Sequence, residues 1–198
     1  FLSAAITLAF SATLFLTLNK RYFYAPMGYD EGFFVWGGWS ITKGLTPYKE
    51  FLEFKPPFVF LTHALALKLF GFAGQRYRIF FAAFPLCGLL ALHITLLARK
   101  VPRWLVCGTI LAIIPIFLRY QFHDTALSDS ESIGFTYFLF GLSTLLWPTT
   151  RRWPVALGTA LLTACILSKE PFLPVVGCTW LGALFLRHGN RPSKAAAI

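Results

Sequence analysis

Apolar residues in this chain come in long unbroken runs, and seven can be read: 1–18, 57–72, 78–98, 104–118, 132–147, 154–168 and 171–186. A helix that crosses a bilayer needs about 20 residues, with a lower limit near 17, so several runs sit at that limit. The run 57–72 stands apart because it carries His63 and Lys68 and opens on Pro56-Pro57. Proline at the first helical positions loses no helical hydrogen bond, so this is a start signal. One long break, residues 28–57, separates the first two runs. It holds four of the eight acidic residues, Asp30, Glu31, Glu50 and Glu53, interleaved with Tyr29, Trp36, Trp39 and Tyr48. Those aromatics are the types that settle at a membrane–water boundary. Within the break, 31–43 predicts a short amphipathic helix in the interface, loosened by Gly37 and Gly38.

Parity decides how 57–72 is treated. If it crosses the membrane, the acidic break and the second acidic cluster, His123-Asp124-Thr125-Ala126-Leu127-Ser128-Asp129-Ser130-Glu131, fall on opposite sides. If it lies in the interface, they share a side. Three loops then share the other: Arg99-Lys100-Val101-Pro102-Arg103, Arg151-Arg152, and Arg187 with Arg191 and Lys194. Those loops hold eight basic residues and no acid; the acidic side holds the other ten basic residues against all eight acids, a net of +2 against +8. Cytoplasmic loops carry the excess of Lys and Arg. The expected fold is therefore all-α and polytopic, one transmembrane domain over 1–198. Six spans are expected, at 1–18, 78–98, 104–118, 132–147, 154–168 and 171–186. Interfacial helices occupy a first extracytoplasmic loop at 19–77. Lys20 and Arg21 fall outside, a mild violation of the rule.

Composition agrees with a membrane class: 57% hydrophobic, 13% charged, mean hydropathy +0.64. The net charge of +10 invites a nucleic-acid partner, but the basic residues lie in short loops between apolar runs and not on a soluble domain. Cys87, Cys107, Cys165 and Cys178 all lie inside apolar runs without paired spacing, which makes packing their default role. The first run has no basic n-region or cleavage signal, so it reads as an uncleaved helix. Phe1 is no initiator, and a fragment of a longer protein is expected.

Several polar groups could carry chemistry. Asp30-Glu31 either caps a helix, where carboxylates meet orphan N–H groups and the positive dipole end, or supplies a general base or metal ligand at the membrane surface. Asp129-Ser130-Glu131 opens the run 132–147 with the same two readings, and acids near a membrane helix are often functional. Lys55-Pro56-Pro57 and Arg76-Tyr77-Arg78 bracket the proposed interfacial helix. Their cations either snorkel to headgroups or hold a phosphate. In Lys169-Glu170-Pro171 the Lys and Glu either pair with each other or face substrate. His63, His93, His123 and His188 show no metal-ligand spacing, and no Walker loop, GxSxG or GxGxxG is present.

The order Asp30-Glu31, Gly44-Leu45-Thr46-Pro47-Tyr48, Lys55-Pro56-Pro57, then Phe70-Gly71 with a nearby Arg, resembles the N-terminal module of GT-C membrane glycosyltransferases. The nearest flavour is the glycosyltransferase family 39-like branch of protein O-mannosyltransferases and the lipid A aminoarabinose transferase. The likeness runs through most of residues 1–187. It implies an enzyme of the plasma (inner) membrane that moves a sugar from a polyprenyl-phosphate donor to an extracytoplasmic lipid, glycan or protein acceptor, with inversion. It further implies Asp30 as catalytic carboxylate, Asp129 as a second catalytic acid with Glu131 beside it, and Lys55 on donor phosphate. Glu31, Arg76, Arg78 and Lys169 join Lys55 and Glu131 as substrate-binding candidates. No cofactor is required by the resemblance; if the reaction uses a divalent metal, Mg or Mn, it would sit on Asp30 and Asp129. Lys49-Glu50 stands where relatives often have an Asp, so Glu50 receives no catalytic role. Family members carry further spans and often a soluble C-terminal domain. The rival readings are a transporter of lipid-linked substrate and a catalytically silent scaffold.

Overall fold

The computed structural model describes residues 27–51, 55–72, 74–118, 127–149 and 151–189, with Ala5, Ala9, Ala12, Thr13 and Thr17 helical in the first run. The rest of the 1–18 span, Lys20 and Arg21, Glu53, His123 and Asp124, and Arg191 and Lys194 lie outside the described residues. The described chain is all-helical: α1 (Tyr29–Thr42), α2 (Pro57–Phe70), α3 (Gly74–Ala98), α4 (Arg103–Leu118), α5 (Ser130–Leu146), α6 (Trp153–Ile166), a 3-10 turn (Glu170–Phe172) and α7 (Leu173–Gly189). Among the described residues one helix, Arg76–Ala98, is both long and apolar enough to cross a membrane; Pro57–Phe70, Arg103–Ile114 and Trp153–Ile166 are shorter apolar helices.

Local chemistry sets the ends. Pro57 opens α2, and Gly71, at φ 69°, closes it with its N–H on the Leu67 carbonyl at 2.8 Å. Asp129 caps α5: its Oδ1 accepts from the Ser132 N–H at 2.9 Å. The cap of α1 is Gly28, with no side-chain hydrogen bond, so Asp30 sits in the first turn and does not cap. Nor is α1 amphipathic as expected. Phe34, Val35, Gly37 and Gly38 are buried while Trp36 and Trp39 are exposed, so apolar residues encircle it.

The core places α3, α5 and α6 side by side. α3 and α5 run parallel: Gly88 packs on Thr136 and Leu139, and Thr95 donates to the Ser143 carbonyl at 3.3 Å. One step further, Arg99 Nε donates to the Leu146 carbonyl. α6 returns antiparallel, its backbone nearly touching α5 where Gly141 faces Gly158, the close approach that small residues permit. α7 follows α6, with the Trp180 indole N–H on Thr159 Oγ1 at 3.0 Å. α1 and α2 pack mainly on each other. An added Cβ on Gly38 would lie 2.6 Å from His63 Cβ and 2.8 Å from the Ala64 nitrogen. The α2 start is fastened to the α6 end, where the Phe58 N–H donates to the Leu167 carbonyl at 3.1 Å.

Hydroxyls along these helices bond back to the carbonyl four residues earlier. Thr62, Thr109, Thr136, Ser143, Thr144, Thr163 and Ser168 all do so, at 2.6–3.0 Å. The outer faces carry exposed aliphatics, among them Leu65, Leu69, Ile79, Ile94, Leu111, Leu157 and Leu181.

Candidate functional site

The described acids gather at one end of the helices. This end is formed by the starts of α3 and α5, the end of α6 and the pair α1–α2. Asp129 and Glu131 open α5, and the turn after α6 brings Lys169 across, its Nζ 2.6 Å from Glu131 Oε1. Lys169 therefore pairs with Glu131 and not with its neighbour Glu170, as the sequence had allowed. Burial pushes the Asp129 carboxyl up to about 7, assisted by nearby Glu131 and opposed by the Ser132 amide and Lys169. Burial also acts to raise Glu131, but the Lys169 ammonium and the Ser130 hydroxyl outweigh it and leave that carboxyl below its ordinary value. Burial acts to lower the Lys169 ammonium, but the carboxylates of Glu131 and Asp129 outweigh it and hold it above its ordinary value. A carboxyl titrating near neutrality beside an ammonium can take a proton from a hydroxyl and steady a nearby anion.

Behind this cluster lies a buried polar chain. The Ser128 carbonyl can only accept, so His63 Nε2 carries the proton and donates at 2.8 Å. His63 Nδ1 then accepts from the Tyr77 hydroxyl. Fully buried among Phe34, Tyr77 and Phe81, the imidazole is pushed down to about 3, with the Ser128 contact opposing, and stays neutral. Next to Tyr77, Arg78 grips Glu31 through two bonds, Nε–Oε1 at 3.1 Å and Nη2–Oε2 at 2.7 Å, with Glu31 fully buried and Arg78 5% exposed. Two candidate substrate contacts thus neutralise each other inside the protein.

Asp30, one helical step from Glu31, is exposed, as is Arg76; Lys55 is half-buried, and its carbonyl accepts from the Tyr48 hydroxyl at 2.6 Å. The Glu50 carboxylate accepts from the Thr46 N–H inside its own turn. Asp129, Glu131 and Lys169 are one cluster, Glu31 and Arg78 a second, and His63, Tyr77 and Ser128 link them. Tyr77 and Ser128 escaped sequence reasoning; their only signals were a tyrosine between two arginines and a serine before an acid. Among the described residues no three His, Cys, Asp or Glu side chains converge as a metal site. The opposite end presents Arg99, Lys100, Arg103, Arg151 and Arg152 and no described acid. Compared with known proteins, the chain matches no family model, no curated protein and no solved structure.

Proposed function

We propose that this chain is the N-terminal module of a polytopic membrane glycosyltransferase that moves a sugar from a polyprenyl-phosphate donor to an extracytoplasmic acceptor. The observation that carries this reading is the one-ended gathering of Asp129, Glu131 and Lys169, with Asp30, Lys55 and Arg76 on segments at that same end. Among the described residues the far end carries basic groups and no acid, the pattern of a cytoplasmic face. Exposed aliphatics on the helices and exposed Trp36, Trp39 and Tyr29 on α1 suit a six-span bundle with α1 and α2 in the interface. A polyprenyl phosphate is already a good leaving group, so the protein need supply a base, charge neutralisation and positioning. Asp30 accepts the acceptor proton, Lys55 offsets the departing phosphate, and Asp129 lies ready as the second acid. A transporter would place its ionisable groups at mid-span. Among the described residues every Asp, Glu, Lys and Arg of α3 to α6 lies within the first turn or two of its helix.

The test is transfer from a radiolabelled polyprenyl-phosphate sugar by the whole membrane-inserted protein. Asp30→Asn abolishes turnover without loss of insertion, and Asp129→Asn lowers it by about a hundredfold or more, the usual range for an acid–base group. Near-normal turnover in Asp30→Asn sinks that base assignment. Cysteines placed at 30 and 129 label from one side; opposite sides refute the single-site arrangement.

A further inference from the structure

At the basic end, far from the acidic cluster, a groove of about 340 Å³ opens on the outside of the helices between α3, α5 and α6. Ala91, Ile94 and Leu157 line its length, and Trp147 and Trp153 stand at its end. Its polar side chains present little hydrogen-bonding capacity. Ser143 and Thr144 donate to the carbonyls of Leu139 and Phe140, and Thr95 donates to Ser143, leaving mostly C–H surface toward the groove. Ile94, Trp147, Trp153 and Leu157 are each 39–54% exposed, so the groove faces outward. Basic residues adjoin the residues at its tryptophan end. Arg152 directly precedes Trp153, Arg151 precedes that, and Arg99 is fastened to the carbonyl of Leu146, the residue before Trp147.

We propose that this groove binds one anionic membrane phospholipid, an acyl chain lying along α3, α5 and α6 and the phosphate meeting Arg99, Arg151 and Arg152. The shape suits an acyl chain because the hydroxyls along its walls already donate within the protein, the two tryptophans, with their indole N–H groups, mark the headgroup level, and the arginines supply the charge complement. Basic pockets between membrane helices on the cytoplasmic side take anionic headgroups in this way. The inference rests on the membrane-embedded reading but not on glycosyl transfer.

The test places the chain in nanodiscs of phosphatidylcholine with a minor fraction of phosphatidylglycerol, and brominates the acyl chains of one lipid or the other. Tryptophan quenching is compared between the natural sequence and a Trp147→Phe/Trp153→Phe variant, which isolates the groove signal. That signal is quenched several-fold more by brominated phosphatidylglycerol than by brominated phosphatidylcholine at equal fraction. Arg151→Gln/Arg152→Gln reduces the first to the level of the second. Equal quenching by both lipids in the natural sequence overturns the proposal, because the groove is then ordinary bilayer-facing surface. So does displacement of brominated phosphatidylglycerol by inorganic phosphate alone, which makes the site one for a free anion. Trp104, 72% exposed on α4, reports embedding separately. If brominated phosphatidylcholine quenches Trp104 but neither lipid quenches the groove, the lipid site is refuted and the membrane reading stands.

Discussion

The ion pair between Glu31 and Arg78 joins helices 47 residues apart in sequence, and its removal should be the most damaging polar change in the described chain. Its geometry is bidentate, with contacts of 2.7 and 3.1 Å and the Glu31 and Arg78 side chains 0% and 7% exposed. Arg78→Met leaves the Glu31 carboxylate buried without its cation, and Glu31→Gln leaves the guanidinium without its anion. Breaking one side of such a buried pair costs about 3–5 kcal/mol. If the two changes acted independently, the double variant would lose roughly 6–10 kcal/mol, the sum of two such losses. Because no buried charge remains in the double variant, its loss should instead equal one single change or less, a coupling of at least about 3 kcal/mol. The assay is a double-mutant cycle on unfolding of the chain in one fixed membrane mimetic, read by helical circular dichroism. Losses that add in the double variant refute the pairing as described. A single loss under about 1 kcal/mol, the range of an exposed pair, refutes the burial.

Two further results follow from the same region. Asp129 binds its proton more tightly folded than unfolded, so its contribution to stability falls as pH rises from about 4 to about 7; neutral His63 contributes fully above pH 6.5 and loses that contribution as pH falls toward about 3. The slopes oppose each other between roughly pH 4 and 6.5. Thermal melts across pH should therefore show stability rising with pH in Asp129→Asn and falling with pH in His63→Gln; two parallel profiles would exclude one of the shifts. Gly38→Ala forces a methyl into the α2 backbone at His63 and Ala64, an overpacking cost of about 1–3 kcal/mol. An unchanged melting temperature would show that α1 and α2 do not meet there.

Much of the helical layout was legible because apolar runs and prolines are local signals. The runs 57–72, 104–118, 132–147 and 154–168 meet α2, α4, α5 and α6 within a few residues, and the cap of α5 fell within the Asp129-Ser130-Glu131 cluster, where capping was one of two readings. α3 begins at Gly74, before the expected 78, because Arg76 and Arg78 end the apolar run without ending the helix. Pairings were the illegible part. A linear reading placed Glu31 and Arg78 both at the site but could not show that they face each other across two helices. It also set Lys169 beside Glu170, when the turn after α6 swings it toward Glu131. The difference between Asp30 and Glu31, one exposed and one fully buried, follows from the 100° step between adjacent helical residues. That step depends on which face meets α2, and only Gly37 and Gly38, noted in sequence as loosening residues, hinted at it.

The seven hydroxyls that fold back onto their own helices change what the chain shows to its surroundings. On a hydropathy scale each Ser and Thr counts against hydrocarbon, yet here the donor is already satisfied within its turn. To an apolar solvent these helices are more uniform than their composition, and the interhelical contacts at α3, α5 and α6 rest on shape more than on polar matching. Such bonds also draw a carbonyl aside and tend to bend the helix slightly. With Thr136, Ser143 and Thr144 all bonded back along α5, polar residues act on the curvature of that helix while presenting no free donor from their own hydroxyls to an apolar surrounding.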